Sequence, residues 1–250
     1  MATKHWPEVR YLLQMPRVLN LVASVLLAVV LNTLPVQAQG ARLDVGSFSL
    51  FLNGTRVGRE QFSMQRMQSQ EGGVLELRAE SATGDRRTAM RLEADSAGTP
   101  VRYSFEERAG AELLARLGGR RVRGRFATLA RSALGEAAHE YLLVAGALVL
   151  EDNGVSQYAL LIRNRQASGP DTVRVPVLSL GNNQQGIVRL ARETQRDTVM
   201  VAGTRREATR WTFVSLSGES RTVWADADGR ILRVRIASRG FEAVRDDVPS

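Results

Sequence analysis

Apolar and polar side chains alternate with a period of two over much of the chain beyond residue 45. Leu75, Leu77 and Ala79 alternate with charged residues, and the same pattern recurs at 90–94 and at 232–236. Such alternation puts apolar side chains on one face of a strand, as in an antiparallel sheet with one side in water. The many short runs predict a mainly β fold, in which one curved antiparallel sheet forms a half-barrel, a barrel or a sandwich.

Turn signals separate these predicted strands. Asn53-Gly54 is the strongest, because both residues tolerate a positive φ and so favour a tight hairpin. Asp226-Ala227-Asp228-Gly229 predicts a hairpin near the C-terminus, and Leu117-Gly118-Gly119-Arg120 is also interpreted as a turn. The pattern further predicts two paired strands at 187–192 and 197–201.

The middle of the chain departs from the two-residue period. Val155, Tyr158, Leu161 and Ile162 fall at helical spacing, which predicts a helix that packs against the sheet. Residues 134–150 fit two interpretations, a second helix near the start or one or two buried strands, and the pattern leaves both open.

The first forty residues have a composition of their own. Arg10 and Arg17 precede the apolar run 18–34, and the small residues Val36 and Ala38 follow it. A charged start, an apolar middle and small residues before the cut are typical of a secretory signal peptide. An uncleaved anchor is the alternative, but the apolar run is shorter than the roughly 20 residues that a bilayer span prefers.

We therefore expect a signal peptide at 1–38, cleaved near Ala38, and a single exported domain at 39–250 in the periplasm or outside the cell. Either Met1 or Met15 fits as the first residue of such a signal. The chain has no cysteine, so the exported domain must be stabilised by burial and hydrogen bonding rather than by disulfides.

Arginine dominates the charge of this chain. The formal net charge is +8, and Lys4 is the only lysine. Because an exported protein does not meet nucleic acid, the expected partners are anionic membrane lipids or an envelope protein. Arg121, Arg123 and Arg125 would share one face of a strand and are predicted to contact such an anionic surface; a solvated sheet face is the alternative.

No motif assigns a catalytic activity. His139 is the only histidine after residue 38, which excludes a multi-histidine metal site, and the nucleophile elbow Gly-x-Ser-x-Gly is missing. Asp226 and Asp228 lack the remaining ligand spacing of a calcium loop. The sequence therefore predicts no catalytic residue, no metal and no cofactor.

The aromatic residues suggest a binding surface. Trp211 and Phe213 lie on one face of a predicted strand and Trp224 lies on the next strand, so the three rings would cluster if the register places them opposite each other. They are the candidate ligand-binding residues, and ordinary core packing is the alternative. The predicted inner face as a whole comprises Met64, Met90, Tyr103, Phe105, Trp211 and Phe213.

The run of hairpins after a signal peptide, the central helix and the closing segment 221–234 resemble uncharacterised bacterial periplasmic domains. Those domains are related in architecture to the half-barrel lipoprotein-localisation factors. The resemblance implies a curved antiparallel sheet wrapped on one or two helices, and it assigns no functional residue.

The expected function is that of an exported envelope protein which binds an apolar or amphipathic, lipid-like ligand, such as an acyl chain, on the concave face of its sheet. A second hypothesis is a non-catalytic envelope scaffold that docks through its arginine-rich face. A third is an enzyme that positions its substrate without a cofactor.

Overall fold

The computed structural model describes residues 40–69, 72–152, 154–163, 165 and 171–249. The predicted signal peptide lies outside these residues and stays a prediction. In the described part no helix is long and apolar enough to cross a membrane.

The strands of the described part belong to one sheet. In chain order they are β1 (Ala41–Leu52), β2 (Thr55–Ser69), β3 (Gly72–Thr83), β4 (Arg86–Ala94), β5 (Pro100–Ala109), β6 (Glu112–Val122), β7 (Arg125–Ser132), β8 (Gly135–Leu142), β9 (Leu148–Val149), β10 (Thr172–Ser179), β11 (Gln184–Val201), β12 (Thr204–Val214), β13 (Ser220–Ala225), β14 (Ile231–Ile236) and β15 (Phe241–Arg245). The helix α1 (Tyr158–Arg163) lies between β9 and β10, and a 3-10 turn covers Ala237–Arg239.

The sheet is a meander that folds back on itself. Neighbouring strands pair in antiparallel fashion from β1 to β8 and from β10 to β15, and β15 also pairs with β1. The short β9 is parallel to β10, and β8 and β9 are the two edges. The sheet is thus curved but not closed by backbone hydrogen bonds, which confirms the predicted mainly β, antiparallel architecture.

Side chains bridge the region where the backbone leaves the sheet open. The Tyr141 hydroxyl donates to Asn183 Oδ1 at 2.9 Å, and Gln185 Nε2 donates to the Leu142 carbonyl at 2.7 Å. These bonds join the end of β8 to the turn between β10 and β11 and to the start of β11, so side chains also connect the sheet on this side.

Two local predictions were wrong, and one open alternative is decided. Residues 135–142 form the strand β8, so of the two interpretations left open the second helix is excluded there. Residues 117–120 were expected to form a turn but lie inside β6, where a Cβ at Gly119 would meet the Phe126 ring. Residues 184–201 form the single strand β11, in which a register shift between Arg192 and Arg196 imitates a turn.

The core lies on the concave face and is filled by the turn before α1 and by α1 itself. We call residues 154–163 the plug; its side chains from Val155 to Ile162 are all buried. All six predicted inner-face residues pack in or against this core: Met64, Tyr103, Trp211 and Phe213 are buried, and Met90 and Phe105 are half-buried against it. The predicted helix is therefore confirmed as the element around which the sheet curves.

A buried ionic clasp joins the two ends of the described chain. Arg245 on β15 donates two hydrogen bonds to Asp44 on β1, at 2.7 and 3.0 Å, and a third to Asp247 at 3.0 Å. Its guanidinium also lies 5.3 Å from the centre of the Phe62 ring. Gly46 makes room for this group, since a Cβ there would lie 2.7 Å from Arg245 Nη2.

The buried clasp should contribute much more to the free energy of unfolding than an exposed ion pair does. Asp44→Ala leaves the buried Arg245 guanidinium with the half-exposed Asp247 as its remaining carboxylate partner, and it should lower the free energy of unfolding by about 3 kcal/mol. Glu207→Gln breaks the exposed pair with Arg196 and should cost less than about 1 kcal/mol. Urea denaturation measures both, and losses of equal size would contradict the role given to the clasp.

Candidate functional site

The plug does not fill the concave face completely. A cleft of about 270 Å³ remains between β3–β6 and the segment 151–157, and the turn residues Gly181 and Asn182 lie at its side. This volume is just below the range of about 300–1,000 Å³ that is usual for small-molecule pockets. The concave face therefore has room for a small ligand or for one alkyl chain.

The floor of the cleft is apolar and follows from the strand register. Met90, Phe105 and Leu117 lie directly opposite one another on β4, β5 and β6. Tyr103 lies on the same face of β5, two residues before Phe105, and it is buried. Because the plug covers Met90 and Phe105 only in part, their side chains remain half-buried at the cleft.

Towards the mouth the same strands carry polar side chains. Ser81 and Thr88 are paired across β3 and β4, and their hydroxyls are 2.7 Å apart. Glu107 follows on β5 and accepts a hydrogen bond from Arg86 at 2.7 Å. The cleft thus changes from apolar at its floor to polar at its mouth.

Glu60 fixes the start of the plug to β2. Its two carboxylate oxygens accept the backbone N–H groups of Ser156 at 2.8 Å and of Val155 at 3.0 Å. Burial raises the pKa of this carboxyl, and the two hydrogen bonds oppose the rise. The side chain is committed to the backbone on both oxygens, so it positions the plug.

Glu151 holds the other wall of the cleft. Its carboxylate accepts the N–H groups of Leu180 at 2.8 Å and of Gly181 at 3.1 Å, and burial raises its pKa. The Gln157 side chain accepts the backbone N–H of Glu151 at 2.7 Å and donates to the Gly154 carbonyl at 3.0 Å. These bonds join the entry of the plug to the turn between β10 and β11.

An arginine behind the plug ties it to the C-terminal half of the sheet. The buried Arg221 donates to the Tyr158 hydroxyl and to Asp152, and it lies 3.3 Å from a carboxylate oxygen of Glu219. Arg239 donates to the same Glu219 at 2.6 Å. The plug is therefore anchored on both sides and leaves the inner face of β4–β6 partly uncovered.

The cleft is acidic, although the chain as a whole is basic. Its lining includes Glu60, Glu107, Glu151 and Asp152 and, among the described residues, no arginine. Arg86 pairs with Glu107, and Arg221 and Arg239 pair with Asp152, so the charge of the rim is largely balanced. The carboxylate oxygens remain hydrogen-bond acceptors, to which an ammonium or hydroxyl group can donate and a carboxylate cannot. In the described part of the chain no cluster of acidic and histidine side chains is suited to hold a metal ion.

The three aromatic candidates do not form one cluster. Trp211 and Phe213 are buried in the main core on the inner face. Trp224 pairs in register with Arg210, so it points to the opposite face, where it packs with Leu232 and donates Nε1–H to Asp197 at 2.8 Å. The expected juxtaposition is wrong for Trp224, and a role of these residues in binding stays a prediction.

The three arginine candidates do not lie on one strand either. Arg121 is on β6 and bonds to Asp95 at 2.8 Å, Arg123 is in the turn with a φ of 48°, and Arg125 begins β7. The proposed rib along a single strand is therefore wrong, because a hairpin turn interrupts it. Contact of these arginines with an anionic surface stays a prediction.

The sequence contained a signal for Glu60 that was missed. In β2 the inner positions are Glu60, Phe62 and Met64, so a carboxylate interrupts an otherwise apolar face. Charged residues are almost never fully buried without a partner. Such an interruption indicates a buried acceptor, but the alternation pattern alone does not identify its donors.

No family model matches the chain, and no curated protein matches it significantly in sequence. The fold is similar to the crystal structure of a β-barrel-like protein of domain of unknown function DUF1849 from Brucella abortus, with a TM-score of 0.52 and 8% identity. That match covers 84% of this chain and 97% of the other. A DUF1089 family protein from Pseudomonas aeruginosa matches with a TM-score of 0.40 and 11% identity, over 72% of this chain and 90% of the other. The first match supports a β-barrel-like fold.

The burial of Glu60 predicts the direction in which the stability of the protein changes with pH. Because folding raises its pKa above 4.5, the folded state binds more protons than the unfolded chain just above that pH. The contribution of Glu60 to stability is then greatest at low pH and decreases as the pH rises through its raised pKa. Since Glu60→Gln cannot titrate, the stability of the wild type relative to this variant should decrease from about pH 4 to pH 7.

Urea denaturation across this pH range measures the difference. Glu112→Gln, on an exposed position of β6, controls for the general loss of one negative charge. If the free energy of unfolding of the wild type minus that of Glu60→Gln increases with pH, burial does not raise the pKa of Glu60.

Proposed function

We propose that this protein is an exported binding protein of the bacterial envelope that holds a small amphipathic ligand in the cleft of its concave face. The observation that carries the proposal is the cleft of about 270 Å³ beside an anchored plug. A concave apolar site with a few polar groups at its rim is the usual form of a small-molecule site. Apolar surface left uncovered costs free energy at about 25 cal/mol per Å², which favours an occupant.

The rim defines the head group of the ligand. Glu107 and Asp152 lie at the cleft with Glu151, and no arginine lines it in the described part. The apolar part of the ligand packs on Met90, Phe105 and Leu117, while its head group donates hydrogen bonds to the carboxylates. We therefore propose an alkyl chain with an ammonium or hydroxyl head group as the ligand class.

Two further parts of the proposal rest on the sequence. The charged start, apolar run and small residues of 1–38 support export to the periplasm or the cell exterior. The curved sheet around a plug supports a relation to the half-barrel lipoprotein-localisation factors at the level of architecture. A carrier in that compartment would keep an apolar chain out of water.

The ligand class is tested with three probes that share one alkyl chain. Octylamine, octanol and octanoic acid are titrated into the purified protein by calorimetry. We expect affinity to decrease in that order, with octanoate about tenfold weaker than octylamine, because an ammonium group donates hydrogen bonds to the acceptor oxygens at the rim and a carboxylate has none to donate. Tighter binding of octanoate would contradict the proposed ligand class.

The location is tested with two neighbouring positions on β4. Thr88→Trp puts a large side chain into the cleft, and Ala89→Trp puts the same side chain on the opposite face. We expect Thr88→Trp to weaken octylamine binding about tenfold and Ala89→Trp to leave it unchanged. Equal effects of the two variants would mean that the amine binds elsewhere.

A further inference from the structure

The convex side of the sheet carries a second concavity, which the proposed function does not use. We call it the outer groove; it runs across β3–β7 and has a volume of about 1000 Å³. Ser104, Gly118 and Leu129 are paired across β5, β6 and β7 and form its floor. Because these side chains are short or only half-exposed, the floor lies below the long side chains at the sides.

Gly118 has no structural requirement to be a glycine. A Cβ at this position would meet no atom within 4 Å, and its backbone is not in the left-handed region. Its neighbour Gly119 differs, since a Cβ there would lie 2.4 Å from the Phe126 ring. A glycine inside a strand weakens the strand and is often found where a ligand approaches the backbone closely. The open space over Gly118 therefore points to an occupant of the groove.

The sides of the groove are basic. Its lining contains two acidic residues, Glu80 and Glu106, and six arginines: Arg78, Arg91, Arg102, Arg116, Arg120 and Arg131. Arg102, Arg116 and Arg131 expose more than half of their side chains. Arg120 is exposed, and it has no ion pair within the described residues. The other five arginines form ion pairs, Arg116 with Glu106 inside the groove and the rest with carboxylates of the same outer face. Arg120 therefore supplies the free guanidinium next to Gly118 to which an anion can bind.

The groove continues over the outer face towards β1. Two neighbouring concavities of about 610 and 400 Å³ share Glu80 with it and add Arg59, Arg87 and Arg108. Since strands lie about 4.8 Å apart, a path from β1 to β7 is about 29 Å long. The shape suits a linear chain with several negative charges, whereas a flat bilayer cannot reach the floor of a groove.

We propose that the outer groove binds a linear acidic polysaccharide. Arginine forms paired hydrogen bonds with carboxylate groups, and a chain of uronate sugars presents such groups at regular intervals. The floor presents the Ser104 hydroxyl and the backbone at Gly118, which can hydrogen-bond to sugar hydroxyl groups, and the exposed Leu129 side chain, on which the apolar face of a sugar ring can pack. An acidic peptide and an anionic membrane are the alternatives that the experiment separates.

Binding of an oligogalacturonate to the purified protein tests the proposal by fluorescence anisotropy. We expect saturable binding that weakens with added salt and disappears when the carboxylates are methyl esters. Equal or tighter binding of poly-glutamate of similar charge, or binding to anionic phospholipid vesicles without binding to the oligogalacturonate, would overturn the assignment to a polysaccharide.

Paired variants test the location. Gly118→Leu fills the floor at a position where a Cβ meets no atom within 4 Å, and Thr198→Leu adds the same side chain to an exposed position of β11 outside the groove. Arg120→Gln removes the free guanidinium of the groove, and Arg205→Gln removes an exposed guanidinium from β12, outside the groove. We expect the two groove variants to weaken binding, Arg120→Gln by about fivefold, and the two controls to leave it unchanged.

Equal effects of Arg120→Gln and Arg205→Gln would show attraction by the overall positive charge alone and would overturn the proposal. Unchanged binding by Gly118→Leu would overturn it as well. Octylamine binding by these variants separates the two sites, because the cleft lies on the other face of the sheet and should keep its affinity.

Discussion

The position of the plug on the concave face depends on the hydrogen bonds that the buried carboxylate of Glu60 accepts. A carboxylate without water needs hydrogen-bond donors, and the backbone N–H groups of Val155 and Ser156 supply them. The bonds hold the first turn of the plug against β2, while Arg221 holds Tyr158 from the other side. Since both contacts fix the plug in one place, the apolar side chains of β4–β6 beyond its reach remain partly uncovered.

The two faces of the sheet have opposite chemistry. On the inner face an apolar floor meets a rim of carboxylates, and on the outer face arginines surround a floor formed by Ser104, Gly118 and Leu129. The formal net charge of +8 is a sum over the whole chain and does not reveal this difference between the two faces. The clasp between Asp44 and Arg245 joins β1 to β15 in the middle of the sheet, and the sheet curves around the plug. The two concavities therefore lie on opposite faces of one continuous sheet.

Much of the fold could be predicted from the sequence because a period of two is a local property. The hairpin at Asn53 and the helix beginning near Tyr158 follow from neighbouring residues alone. The register is not local, so the pattern did not show that Trp224 faces Arg210. The turn at Arg123 was missed for a related reason, since alternating arginines continue through a hairpin as readily as along a strand.

The candidate sites were harder to predict than the fold. Glu60 and Gly118 both depart from the pattern of their strands, one as a charge on an apolar face and the other as a glycine in a strand interior. Each is explained only by groups distant in sequence or by space that no side chain fills. The sequence predicts a ligand on the concave face but gives neither the acidic rim nor the plug contacts that create it.

A crystal structure of the protein with an ω-bromo-octylamine, measured at the bromine absorption edge, would show directly whether the cleft holds an alkyl chain. We expect an anomalous bromine peak beside Met90 and Phe105, with the ammonium at the rim near Glu107. A cleft filled by its own side chains, with bromine only elsewhere on the surface, would contradict this expectation.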